Sequence, residues 1–83
     1  MRIEIHPHAK ERIFERGIES EEIVETIEKG ERFAAKFGRE GFRKNFPFAG
    51  FWRGRQYEMK QVEVYAVRES DSYVVITALA KYY

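Results

Sequence analysis

In the run His6-Pro7-His8-Ala9-Lys10-Glu11-Arg12-Ile13-Phe14-Glu15-Arg16-Gly17-Ile18, one imidazole and two guanidinium groups recur every fourth residue, at His8, Arg12 and Arg16. Proline is tolerated in the first turn of a helix and glycine just past its end, so Pro7 and Gly17 bracket about three helical turns. On such a helix a four-residue repeat stacks its side chains along one side. The row suits an anion. Arg12 and Arg16 would clamp a phosphate, and His8, with an unperturbed imidazole value of about 6.5, would give or take a proton at neutral pH. Metal-independent RNA cleavage requires a base for the 2′-hydroxyl, an acid for the leaving 5′-oxygen, and cations on the charge that develops at phosphorus. The same three residues also fit a plain solvated face, with Glu11 and Glu15 paired to the arginines.

Other residues complete the candidate set. Lys60, with Arg43 and Lys44, would add positive charge, and Tyr65, Thr77 or Tyr82 would orient a substrate. His6 precedes a proline, which keeps its backbone extended, so it reads as a helix cap or a surface residue. Two histidines separated by one residue, with no carboxylate at ligand spacing, do not make the usual zinc set, so no metal and no cofactor is expected.

The spacing His8-x-x-x-Arg12-x-x-x-Arg16-Gly17-Ile18, followed by the acidic run Glu21 to Gly30, resembles the opening of the DUF4258 family of small bacterial and archaeal proteins of uncharacterised function. The segments Val62 to Val67 and Val74 to Thr77 are similar to its closing pair of strands. The resemblance covers the ends better than the middle. It departs after Gly17-Ile18, where Glu19 stands in place of the family's Ser or Thr and Ser20 follows. More loosely, the resemblance implies kinship with the RelE, BrnT and barnase-like group of small RNA-cleaving toxins, an analogy of fold rather than of activity.

Charge is strongly segregated although the net is only +1. Residues 1–31 carry five Lys/Arg against nine Glu, residues 32–68 nine against three, and the remainder one against two acids. A basic middle beside a His/Arg helix is the electrostatic footprint of a phosphate-binding surface. That middle also holds six phenylalanines and the single tryptophan between Phe33 and Trp52, interleaved with cations. Aromatic faces that stack bases, with cations tracking a backbone, are the parts of a single-strand nucleic-acid site; Arg39, Arg43, Lys44, Trp52, Arg53 and Arg55 are its candidates. In so short a chain many of these rings must instead be core.

Eighty-three residues allow one domain with a small core. The sequence has no cysteine, which fits a reducing cytoplasm, and no apolar run of membrane-spanning length. Residues 1–5 alternate as a strand. Ile18 is expected to pack back on the first helix, with Glu19 or Ser20 capping the second, whose Ile23, Val24 and Ile27 face a core while Glu21, Glu22, Glu25 and Glu28 face water. Arg32 to Phe37 reads as a strand and Gly38 to Gly41 as a turn. In Phe42 to Phe48, Pro47 implies an edge strand or extended loop, and Ala49 to Arg55 is turn-prone. Tyr57 to Val67 and Tyr73 to Lys81 form a hairpin with Val74, Ile76, Ala78 and Ala80 on one face.

The predicted architecture is therefore α+β: an N-terminal strand and a helical hairpin packed on an antiparallel sheet of three to four strands, in two layers. Two functional readings follow. One is a toxin-like, metal-independent ribonuclease using the His/Arg row. The other is a non-catalytic RNA-binding or protein-interaction module whose partner is a cognate antitoxin or a second copy of the chain.

Overall fold

The computed structural model describes residues 2–83. In chain order the elements are β1 (Arg2–Ile5), α1 (Pro7–Glu15), α2 (Ser20–Lys29), β2 (Glu31–Ala34), β3 (Glu40–Trp52), β4 (Arg55–Glu69) and β5 (Ser72–Tyr82). The strands form one sheet in the order β1-β5-β4-β3-β2. All neighbours are antiparallel except β1 and β5, which run parallel. The α+β class is as expected, but the sheet is mixed and five-stranded. β4 takes one edge of β5, and β1 adds in parallel to the other, which the antiparallel meander leaves open.

Helix α1 begins where the sequence says it should. The His8 backbone N–H donates to His6 Nδ1 at 3.2 Å, so His6 is the cap. At the other end the Ile18 N–H reaches the Ile13 carbonyl and the Gly17 N–H the Phe14 carbonyl, both at 3.0 Å. This is the Schellman pairing, which needs a left-handed residue, and Gly17 supplies it with φ 72°. Ile18 then folds back into the core. A side chain at Gly17 would also meet Trp52. Helix α2 starts at Glu19, whose N–H is held by Glu22 Oε1 at 2.9 Å.

Both helices cover one face of the sheet, α1 over β5 and α2 over β4 and β3. Between them lie Ala9, Ile13 and Ile23 from the helices and Ile18 from the turn that joins them, against Phe42, Val62, Val64, Ala66, Tyr73, Val75 and Ala78 from the strands. Burying one such Val, Ile or Phe side chain contributes about 1.5–3 kcal/mol. Two apolar helix residues are outside it. Phe14 is exposed because it follows Ile13 and points about 100° further round the helix, and Val24 is partly exposed while Thr26 is buried in its stead. Among the described residues no helix is long and apolar enough to cross a membrane.

Three local features shape the antiparallel part. Pro47 sits within β3, beyond the point where β2 has ended opposite Arg43, so its missing N–H faces no strand. The β3–β4 hairpin closes on Arg53-Gly54, both with positive φ, as a tight two-residue turn requires. On β5, Thr77 pairs with Tyr65 while Val75 pairs with Ala66, so Ile76 is an extra, bulged residue. The bulge resets the alternation. Val75, Ala78 and Ala80 share the helix face, and Ile76 does not join them as the simple two-residue period implies.

Candidate functional site

Helix α1 runs beside β5 past the point where β1 stops. Beyond Val75, whose carbonyl takes the His6 N–H at 3.0 Å, the outer edge of β5 has no strand partner among the described residues and meets side chains of α1 instead. There His8, Glu11, Arg12 and Glu15 line a depression of about 510 Å³ together with Ile76 and Thr77. His8 stacks on His6 with ring centroids 5.2 Å apart. Among the described residues the Arg12 side chain has no ion pair and neither Glu11 nor Glu15 pairs with it, so one helix face presents an imidazole, two carboxylates and a free guanidinium.

Arg16, the third member of the row, is committed elsewhere. Its Nη1 donates to the Ala78 carbonyl at 2.6 Å, which satisfies an edge acceptor of β5. It still borders a small recess shared with Trp52, Arg53, Ala80 and Tyr82. The row therefore splits: His8 and Arg12 at the bulge, Arg16 at the far end of α1, about 12 Å along the axis at 1.5 Å per residue.

Lys60 and Tyr82 belong to the framework. Lys60 is 4% exposed, and its ammonium donates to the Gly17 carbonyl and to Glu22 Oε1, the latter at 2.7 Å. Burial on the helix face takes it away from any surface ligand, and it takes Glu22 out of the solvated face expected for it. The Tyr82 hydroxyl donates to the Arg16 carbonyl at 2.9 Å, and its ring stacks on Trp52 at 5.0 Å with Phe48 edge-on at 5.2 Å. Burial and the nearby Glu22 charge hold its hydroxyl above the usual tyrosine value.

The basic middle is dispersed rather than gathered. Arg43 and Lys44 are adjacent on β3 and so point to opposite faces. Arg43 bridges Glu31 and Glu63, both at 3.2 Å, on the helix-free face, whereas Lys44 meets Glu25 at 2.9 Å beneath α2. That pairing holds the Glu25 carboxyl below its ordinary value through the Lys44 hydrogen bond. Arg39 lies before β3, and Arg53 and Arg55 after or near its other end. At about 3.3 Å per residue the intervening strand separates them by roughly 40 Å, so they cannot clamp one nucleotide. Arg53 stays near α1, with its guanidinium over Trp52 at 5.2 Å and Nη2 on the Glu15 carbonyl at 3.3 Å. Arg55 lies over Tyr57 at 5.9 Å.

The helix-free face holds what the sequence reading did not assemble. One register line across it runs Thr77, Tyr65, Gly41, Phe33. The Phe33 ring lies over Gly41, where any side chain would collide with it, and meets Tyr65 edge-on at 6.0 Å. Beside them Glu63, 7% exposed, accepts the Tyr65 hydroxyl at 2.8 Å and Arg43 Nε at 3.2 Å. Burial pushes the Glu63 carboxyl up, but the hydrogen bonds from Tyr65 and Arg43 and the Arg43 charge outweigh it and leave it below the usual value. Alternation on β4 carried the signal, since Glu63 and Tyr65 share a face, but nothing in it revealed that this face was walled.

The chain matches the family model for a domain of unknown function, DUF4258, over residues 5–80. The chain belongs to the DUF4258 family. The match runs from the last residue of β1 to residue 80 within β5, so His8, Arg12 and Thr77 fall within the DUF4258 region. No curated protein and no solved structure matches the chain. Among the described residues of this DUF4258 protein no group of three or more His, Cys, Asp or Glu side chains is arranged to hold a metal ion.

Proposed function

We propose that this DUF4258 protein binds single-stranded RNA through its phosphates at the α1–β5 depression and cleaves it without a metal. One observation carries the reading: a proton-transfer imidazole, two carboxylates, an unpaired guanidinium and a hydroxyl line the same depression, as His8, Glu11, Glu15, Arg12 and Thr77. Glu11 or Glu15 takes the 2′-hydroxyl proton as the 2′-oxygen attacks phosphorus. His8, protonated, gives its proton to the 5′-oxygen as that bond breaks, leaving a cyclic phosphate and a free 5′-hydroxyl. Arg12 faces the charge that builds on the phosphoryl oxygens. Arg53, at the far end of α1, extends the cationic lane. An RNA substrate puts the protein in the cytoplasm, in keeping with its lack of cysteine.

Binding without cleavage is the second reading. It is favoured by the His8 ring, which is stacked on His6 but, among the described residues, has no hydrogen-bonded group to orient it. Incubating the purified protein and its His8→Ala and Arg12→Ala variants with end-labelled RNA in EDTA separates the two. Cleavage by the wild type that both variants lose supports the ribonuclease. Salt-dependent binding without cleavage supports the module, equal cleavage by all three exposes a contaminant, and neither binding nor cleavage overturns both readings.

A further inference from the structure

Thr77 lines a second space as well as the phosphate depression. On the helix-free face, Phe33, Phe37, Tyr65 and Thr77 bound a cavity of about 440 Å³ with Lys36 and Arg39 among its walls. That is the size range of small-molecule sites, and its make-up is theirs: apolar and aromatic walls with a few polar groups. Phe33 is held in place by Arg43, 4.6 Å above its ring, and by the edge of Tyr65.

Phe37 is different. It sits in the β2–β3 turn with φ 62°, a conformation that L side chains avoid, and its side chain is 87% exposed. Its ring therefore returns no burial energy for the strained backbone, and Gly38 beside it shows that the turn itself asks only for left-handed residues. Strain combined with an exposed aromatic is the mark of a contact made with something else. The Arg39 guanidinium lies 6.0 Å from the ring centroid, which places a cation at the rim of an aromatic wall.

We propose that this cavity receives one base of a single-stranded RNA, stacked on Phe37, while the adjoining phosphate lies across Thr77 in the His8–Arg12 depression. The proposal rests on the phosphate-binding reading above. It commits to a nucleobase because Thr77 borders both this cavity and the depression read above as a phosphate site, and because cations flank its rings. A purely apolar ligand would use neither feature.

The test compares two short fluorescent oligomers of equal length, one an ordinary RNA and the other the same sugar-phosphate chain without bases. Binding is measured for the wild type and for Phe37→Gly, a variant that removes the ring while accepting the positive φ. The wild type should prefer the base-bearing oligomer by about tenfold, a stacking-sized difference. Phe37→Gly should lose that preference, keep its affinity for the baseless chain, and melt no lower than the wild type. Equal affinity of the wild type for both oligomers overturns the base cavity and leaves the phosphate reading standing, as does a preference that survives in Phe37→Gly. Failure of the wild type to bind either oligomer overturns both.

Discussion

Glu63 and Tyr65 are two residues apart on β4, share the helix-free face and are joined by one hydrogen bond of 2.8 Å. The bond moves both groups away from their ordinary values, in opposite directions. Glu63 lies below 4.5, and Tyr65 lies above 10.0 because its hydroxyl is bonded to Glu63, then because it is partly buried, then because of the carboxylate charge. The sign of the stability effect follows from each shift. A carboxyl depressed on folding contributes stability above its unfolded value and loses it as pH falls through the folded one. A phenol raised on folding contributes below about 10 and loses that contribution as pH rises further. Stability should therefore be flat between about pH 5 and 9 and fall on both sides. In Tyr65→Phe both limbs should become shallower, as read from urea midpoints across pH. Limbs identical to those of the wild type would mean that the hydrogen bond is not formed in solution.

At the scale of elements, the α1–α2 turn is fastened to β4 by a single buried cation. Lys60 lies on the same β4 face as Val62, Val64 and Ala66, and it closes the open end of the core by binding the Gly17 carbonyl and Glu22. Removing one partner of a buried pair leaves the other charge desolvated, which costs about 3–5 kcal/mol, whereas replacing both partners by apolar groups is often close to neutral. Lys60→Met is thus expected to lower stability by about 3 kcal/mol. The Lys60→Met/Glu22→Leu double variant should recover part of that loss, less the cap that Glu22 gives the Glu19 N–H, measured by urea unfolding as a double-mutant cycle. Additive losses would show that the ion pair does not hold the turn. Arg16 does comparable work at the other side of α1, where its guanidinium occupies an edge carbonyl of β5 that another strand would otherwise seek.

Across the whole molecule, the charge on the surface is not the charge in the composition. Of the cations in the basic middle, Arg43 and Lys44 are held by carboxylates and Lys60 is buried. Among the described residues Arg12 on α1 and Lys36 and Arg39 at the β2–β3 turn meet no carboxylate, and these are the cations left for the proposed anionic ligand. Engagement of about three phosphates of a single strand predicts a slope near −2 for log affinity against log salt. Arg12→Ala should reduce the slope by about 0.7. A flat salt dependence in a titration with labelled RNA would rule out the phosphate lane.

Local signals were enough for much of the architecture. Pro7 and Gly17 set the ends of α1, His6 its cap, and the alternation after Tyr57 set the closing hairpin, because each depends on residues a few positions apart. Where β1 would pair was not legible, since its parallel register with β5 joins segments seventy residues apart along the chain. Nor was the bulge at Ile76, because β5 is apolar on both faces, so that the shift an extra residue makes in the alternation leaves no visible break. The residue types of the proposed anion site were present in the sequence as His8 and Arg12. Which cations stay free was decided only by folding, because that depends on which carboxylate each one meets across the sheet.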